Sequence, residues 1–530
     1  MTFPEQKVSG QKTADTRWWP FVALLALSIL ALIFIWEFWE SPIRQSKVVA
    51  TMYVLGLALI LALVWLFAFS RLRWRTRVLS GAAIVLTLAL FAALFRVSGV
   101  SGDVLPIIEW RWAQQAPALS HAENAGAVAQ ENGERAWLSS HDYPQFLGPQ
   151  RNGKIPGPRL VRDWSKQPPR QMWRQAIGAG WSAFAVRGSS AITQEQRGGQ
   201  ELVVSYELHT GKVKWSHSDE AHYHEVVAGE GPRATPTIAG DRVYTLGATG
   251  ILNCLDFATG KQMWQKNIIT DNEAKPNSWG VSCSPLVFDS LVVISAGGSN
   301  GRSLVAYHSD TGAKIWSGGD DRAGYSSPLL GTLAETPQIL IFNQASVAGH
   351  DPHSGKLLWQ HPWPNEQPNV AQPLPLPHDR ILVTSGYGIG CKLFEIKKNG
   401  AGEFSVHVLW ETPRLKAKFT NVIFYEGYVY GLDDGVLVCL DLANGERKWK
   451  AGRYGHGQIM LIDDVLLIQE ESGGLALVAP NPERHTELTR FAALDDKTWN
   501  NPALAGAYLL VRNHREAACY ELPMEQTQSR

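Results

Sequence analysis

Residues 251–265 read ILNCLDFATGKQMWQ. An alternating apolar run, Ile251–Phe257, leads to a Thr-Gly pair, and Trp264 follows four residues beyond the glycine. Glycine accepts positive φ, so the pair reads as a tight hairpin turn between two strands. The pattern recurs as HTGKVKWS (209–216), ATGKQMWQ (258–265), DTGAKIWS (310–317), HSGKLLWQ (353–360) and ANGERKWK (443–450). The column of strand tryptophans is Trp215, Trp264, Trp316, Trp359 and Trp449. Trp173 and Trp410 fill the same strand without the turn, and Phe491 takes an eighth position. Successive positions in this column lie 39 to 52 residues apart. Short alternating strands at that period are the mark of propeller blades. The tryptophans are expected to pack between neighbouring blades.

A second column supports the count. Pro236, Pro285, Pro328, Pro373 and Pro502 each precede a short apolar run. Proline lacks a backbone donor and belongs at a strand's first residue or on an edge. The innermost strand of a blade offers that place. The expected fold is all-β, an eight-bladed β-propeller over 141–522 with a C-terminal tail at 523–530. The chain ends three strands into its last blade, so 170–176 is expected to supply the fourth and seal the ring.

Ahead of the propeller come three apolar stretches, 19–39, 48–69 and 78–95. Each is close to the ~20 residues that cross a bilayer as a helix. Trp18, Trp19, Trp36 and Trp39 bracket the first like an interfacial aromatic belt. The N-terminal tail, 1–18, carries Lys7, Lys12 and Arg17, and the loop before the third stretch carries Arg71, Arg73, Arg75 and Arg77. Only Arg44 and Lys47 lie in the loop between the first two stretches. The excess of basic residues predicts a multi-pass inner-membrane protein with a cytoplasmic N-terminus and a periplasmic propeller. The three helices occupy 19–96 in this reading. Residues 97–140 form a linker, flexible across the Ala-, Gln- and Asn-rich stretch 113–136.

Of 530 residues, 21 are tryptophan and 48 glycine, which suits many short strands with regular turns. The 49 basic residues balance the 49 acidic ones, but the basic excess sits before residue 112 and the acidic excess after it. A mildly acidic main domain argues against nucleic acid as a partner. The five cysteines form no C-x-x-C pair, which removes the usual zinc, thioredoxin and c-type haem signatures.

The T-G-x-x-x-W repeat at this period resembles the pyrroloquinoline-quinone-like propeller repeat family of the quinoprotein alcohol dehydrogenase-like superfamily. The likeness is to BamB-type, membrane-anchored bacterial members and covers roughly 141–522. The segment YPQFLGPQRNG, 143–153, is similar to the start of such members. The resemblance implies one of two functions. The first is an interaction scaffold with no cofactor, presenting a face to a protein or polymer partner. The second is a quinoprotein alcohol or sugar dehydrogenase using pyrroloquinoline quinone and Ca²⁺. The dehydrogenases typically carry adjacent cysteines beside the quinone, and this chain has none. The scaffold is therefore the primary expectation.

Residues that enter the innermost strands are expected to ring one mouth of the channel as a ligand funnel. They are Trp181, Ser182, Arg233, Trp279, Arg322, Tyr325, Asn369, Gln372, Asn421, His456 and Asn501. Asp320 and Asp321 are the candidate catalytic bases of the dehydrogenase reading. His222-Tyr223-His224 places two imidazoles on one face of an extended segment, but no third ligand stands at a fixed spacing, so no metal site is expected. The pairs Ser189-Ser190 and Ser326-Ser327 lack a G-x-S-x-G context and are not read as nucleophiles.

Overall fold

A computed structural model describes residues 18–41, 43–112, 141–363 and 366–525. The basic N-terminal tail and the stretch 113–136 lie outside the described residues. The chain divides into two compact units, Met1–Gln114 and Gln115–Arg530.

The first unit holds three helical segments, α1 (Trp19–Phe38), α2 (Arg44–Phe69) and α3 (Trp74–Leu94), each long and apolar enough to cross a membrane. Most of their leucine, isoleucine and valine side chains are exposed, so the helices are apolar on nearly every face. Water does not tolerate such a surface, but hydrocarbon does. After α3 the chain forms an antiparallel hairpin, β1 (Phe95–Val100) with β2 (Pro106–Trp110), within the interval expected as linker.

Among the described residues of the second unit, seven sheets of four antiparallel strands and one of five, in which a short parallel strand joins a four-stranded meander, follow one another. The second sheet shows the plan: Thr237–Ala239, Arg242–Leu246, Ile251–Asp256 and Gln262–Asn267, from innermost to outermost strand. Each column proline stands one residue before an innermost strand, at Pro236, Pro285, Pro328, Pro373 and Pro502. The missing N–H costs no ladder bond there.

Ring closure uses both ends of the domain. Strand Arg170–Ala176 pairs antiparallel with Glu516–Glu521, and Trp173 stands opposite Cys519. Behind this pairing Arg512 is fully buried. Its guanidinium donates to Thr193 Oγ1 (2.6 Å), to the Gln194 carbonyl (2.8 Å) and to the Gly178 carbonyl (3.1 Å). The last sheet is thereby fastened to the first through polar atoms. Residues 523–525 run beside 159–161, where Glu525 N–H donates to the Arg159 carbonyl and Val161 N–H to the Pro523 carbonyl.

The tryptophan column joins most sheets to the next. The Trp264 indole N–H donates to the Ser309 carbonyl of the following sheet (2.7 Å). Trp173, Trp215, Trp410 and Trp449 do the same to Leu208, Phe257, Leu442 and Asn481, at 2.8, 3.0, 2.9 and 2.8 Å. Each of the rings of Trp173, Trp215, Trp264, Trp316 and Trp410 lies against the turn glycine of the next sheet. A Cβ on Gly312 would stand 2.9 Å from the Trp264 ring, and its φ is +65°. The Thr-Gly turn is thus fixed twice, by its own hairpin and by its neighbour's tryptophan. Trp359 departs from the rule and donates to Gln338 Oε1 of its own sheet (2.6 Å). The next sheet extends its outer strands to Gly390–Lys398 and Phe404–Thr412, which carries the turn outward and out of reach. Phe491 instead packs edge-on against Trp164 and Tyr520. The five cysteines are free and buried.

An unexpected element is a segment that crosses the channel. Tyr143 bridges to Val186, and the Pro144 carbonyl accepts from Ile238 N–H. Arg151 is buried and donates to the carbonyls of Ser284 and Pro285, both at 3.0 Å. Strand β3 (Lys154–Ile155) then runs parallel to the innermost strand Gln458–Ile462. Within residues 143–155 the chain touches the first, second, third and seventh sheets, so it acts as a plug.

Two predictions follow from this packing. Trp264→Ala should cost roughly 3–5 kcal/mol in denaturant unfolding, as for other buried tryptophans. Gly312→Ala should also destabilise, whereas Gly400→Ala, with open space around it, should be neutral. Glu201 gives a pH test. Burial pushes its carboxyl up from 4.5 to about 7, so the fold favours the neutral form. That contribution is whole below about 4.5 and is lost as pH rises through about 7. Relative to Glu201→Gln, the native protein should lose up to about 3 kcal/mol between pH 4 and pH 8. A difference that does not change with pH would mean that the carboxyl is hydrated.

Candidate functional site

Loops that run from the outermost strand of one sheet to the innermost strand of the next meet on one face of the ring. Together with the plug they line a cavity of about 150 Å³. Phe146 of the plug reaches it, as do Trp181, Arg233, Trp279, Ser282, Tyr325, Phe419, Asn421, Gln458, Trp499 and Asn501.

Aromatic rings dominate. Trp181 and Trp499 lie 4.9 Å apart between centroids, Trp499 and Phe419 4.9 Å, Phe419 and Trp279 6.2 Å, and Trp279 and Tyr325 5.5 Å. Phe419 precedes the sixth sheet and Trp279 the third. These sheets are not neighbours, so the belt crosses the channel. Such offset and edge-on contacts fix rings more firmly than apolar burial alone.

Cations surround the belt and use its faces. Lys497 Nζ stands 4.2 Å from the Trp499 ring and 5.1 Å from Trp181. Lys418 Nζ stands 5.0 Å from Tyr387 and 6.0 Å from Phe419. Arg233 stacks on Tyr223 at 4.3 Å and donates to the carbonyls of Trp279 (2.7 Å), Gly229 (2.8 Å) and Gly231. Burial lowers Arg233 to about 10, which leaves it charged at neutral pH. Burial also pulls Lys497 below the usual lysine range. The Trp181 indole N–H donates to the Ala228 carbonyl (2.6 Å), and that of Trp499 to Glu471 Oε1 (2.9 Å).

Of the residues expected in the funnel, Trp181, Arg233, Trp279, Tyr325, Asn421 and Asn501 line the cavity. Of the others, Ser182, Asn369 and Gln372 hold loops. Ser182 is buried and its carbonyl accepts from Asn500 (2.8 Å). Asn369 donates to the Asn343 carbonyl (2.9 Å), and Gln372 Oε1 accepts from Ser327 N–H (2.7 Å). His456 packs beside Phe419, 5.8 Å between centroids, and Arg322 is exposed away from the lining. Asp320 accepts from Gly301 N–H (2.6 Å), and Asp321 from Ser346 Oγ (2.6 Å), so both fasten turns and neither lines the cavity. His222 pairs with Glu230 (3.0 Å) on the loop leading into the second sheet. The sequence reading missed Phe146, Phe419 and Trp499. Phe419 and Trp499 each stand two residues before a funnel asparagine, Asn421 and Asn501, an offset that marks them.

A calcium-held quinone is a poor match for this donor set. Calcium takes 6–8 oxygen ligands, carboxylates prominent among them, and among the described residues no Asp or Glu lines the cavity. Among the described residues, no three His, Cys, Asp or Glu side chains converge on a point that could hold a metal ion.

Comparison with known proteins agrees with the architecture. The family described as outer membrane protein assembly factor BamB matches residues 121–282 and 203–451. The outer membrane protein assembly factor BamB of Yersinia pestis is 23% identical over 363 residues, 63% of this chain and 75% of that protein. Quinoprotein alcohol dehydrogenase PedH of Pseudomonas putida is 26% identical over 140 residues, 25% of this chain and 23% of that protein. Among solved structures, BamB from Moraxella catarrhalis superposes with a TM-score of 0.51 at 15% identity, covering 68% of this chain and 99% of that one. Quinohemoprotein alcohol dehydrogenase from Comamonas testosteroni does so with a TM-score of 0.51 at 13% identity, covering 74% and 82%. These likenesses show a shared propeller fold. With the family match covering more than half of its length, the chain belongs to the family of outer membrane protein assembly factor BamB.

Proposed function

We propose that this protein is an interaction scaffold, anchored in the inner membrane by its three helices, with the propeller on the periplasmic side. The cavity carries the reading. It offers aromatic faces, amides and buried positive charge, and among the described residues no carboxylate lines it. Such a site binds through contact area and hydrogen bonds and has no evident acid or base for chemistry. The cavity lies among loops on one face of the ring, which suits a receptor for a protein or polymer segment. The relatives named as assembly factors support the same reading.

The orientation rests on Arg71, Arg73, Arg75 and Arg77 between α2 and α3, against Arg44 and Lys47 between α1 and α2. Alkaline phosphatase fused after residue 140 should be active, and a fusion at residue 74 inactive. The reverse pattern overturns the periplasmic placement.

The partner test targets the belt. Trp279→Ala with Phe419→Ala should weaken the complex captured by cross-linking in intact cells by roughly tenfold, the size of effect that central aromatic anchors show. The melting point of the variant reports separately on folding. A variant that folds and retains its full complex places the binding surface elsewhere on the propeller.

A further inference from the structure

The hairpin after α3 has two unlike faces. Phe95 stands directly opposite Trp110, and Val97 opposite Ile108, so these four side chains share one face. Arg96 stands opposite Glu109 and pairs with it at 3.4 Å, so charge occupies the other face. The apolar face is open, with Val97 64% exposed, Ile108 51% and Trp110 45%. Trp112 extends it, 5.6 Å from Trp110 between ring centroids. The Phe95 and Trp110 rings meet edge to face at 5.3 Å, which holds the indole outward.

This face begins where α3 ends. Phe95 is the next residue after Leu94, and Phe91 at the end of the helix contacts it at 4.9 Å. Arg111 ties the base of the hairpin back to the helix, its N–H to the Leu94 carbonyl (2.7 Å) and its guanidinium to the Ala92 carbonyl (2.8 Å). The hairpin turn is tied to the start of α2. Asp103 pairs with Arg44 at 3.0 Å, and Gln45 donates to the Gly102 carbonyl at 2.9 Å. The hairpin is therefore fastened to the end of α3 and to the start of α2, where Arg44 also stacks over Trp36 of α1 at 5.2 Å.

We propose that this hairpin is a monotopic membrane element. Its Phe95, Val97, Ile108 and Trp110 face lies in the boundary between headgroups and acyl chains of the bilayer that the helices cross. The inference rests on the reading that α1, α2 and α3 span a membrane. Three observations select lipid as the occupant: the apolar face is continuous with the apolar helices, its tryptophans are of the type that settles at that depth, and the Arg96–Glu109 pair occupies the opposite face. An amphipathic element so placed would hold the chain close to the membrane surface before it continues towards the propeller.

The test uses the full-length protein in lipid nanodiscs, with an environment-sensitive fluorophore on a cysteine at one position at a time. The native cysteines are buried, so they should stay unlabelled in folded protein, and their protection serves as the check on folding. Ile108→Cys should show blue-shifted emission and roughly a twofold loss when lipids carry a quencher at shallow acyl depth. Glu109→Cys, one residue away on the other face, should be quenched by aqueous iodide instead. Leu57→Cys in α2 should respond to a deep lipid quencher. If Leu57→Cys responds as expected but Ile108→Cys is quenched by iodide, the hairpin proposal falls and the spanning reading stands. Equal lipid quenching at Ile108→Cys and Glu109→Cys also overturns it, because one face would no longer be selected. If Leu57→Cys itself fails to sense lipid, the spanning reading falls and the proposal with it.

Discussion

The tryptophan that reaches from one sheet onto the turn glycine of the next is the contact on which the ring depends. A four-stranded sheet buries too little to stand alone, so each must cover its neighbour. The Trp264 indole serves both purposes, burying its ring against Gly312 and donating its N–H to Ser309. Repetition of this contact sets the angle between sheets. The same sequence word, Thr-Gly and then Trp, encodes both halves of the contact, since its glycine receives the preceding tryptophan and its own tryptophan goes to the following glycine. Where the outer strands lengthen beyond Trp359, the contact is lost and Gln338 replaces it.

Closure of the ring shapes the channel. The N-terminal part of the domain passes under the ring as a plug before it returns as the outermost strand of the last sheet. Arg151, buried within that plug, donates to the carbonyls of Ser284 and Pro285, which mark the start of the third sheet. Burial lowers its guanidinium to about 10, still charged at neutral pH. A buried charge of this kind persists only where carbonyl oxygens surround it. Above the plug, the belt from Trp181 to Tyr325 makes the channel mouth an aromatic surface with a positive border.

Much of this was legible in the sequence because it repeats. The tryptophan and proline columns located the sheets and their innermost strands, and the unfinished last sheet called for Arg170–Ala176. What does not repeat was harder to read. The plug pairs Lys154–Ile155 with residues some three hundred positions later, and no local pattern announces a two-residue parallel strand. The hairpin at 95–110 was hidden because only Val97, Ile108 and the paired aromatics alternate, too few for a strand signal on their own. Asp320 and Asp321 drew notice as adjacent acids. Each is explained by one turn that it fastens, a role that spacing alone does not distinguish from chemistry.

In the function proposed here, the aromatic mouth is a recognition surface for a partner and not a seat for a quinone. Equilibrium dialysis of the purified protein against pyrroloquinoline quinone, with and without Ca²⁺, tests it without any guess about a substrate. No stoichiometric binding is expected, and no Ca²⁺-dependent change in tryptophan emission. One quinone held per chain in a Ca²⁺-dependent manner, and lost in Trp279→Ala, would contradict it.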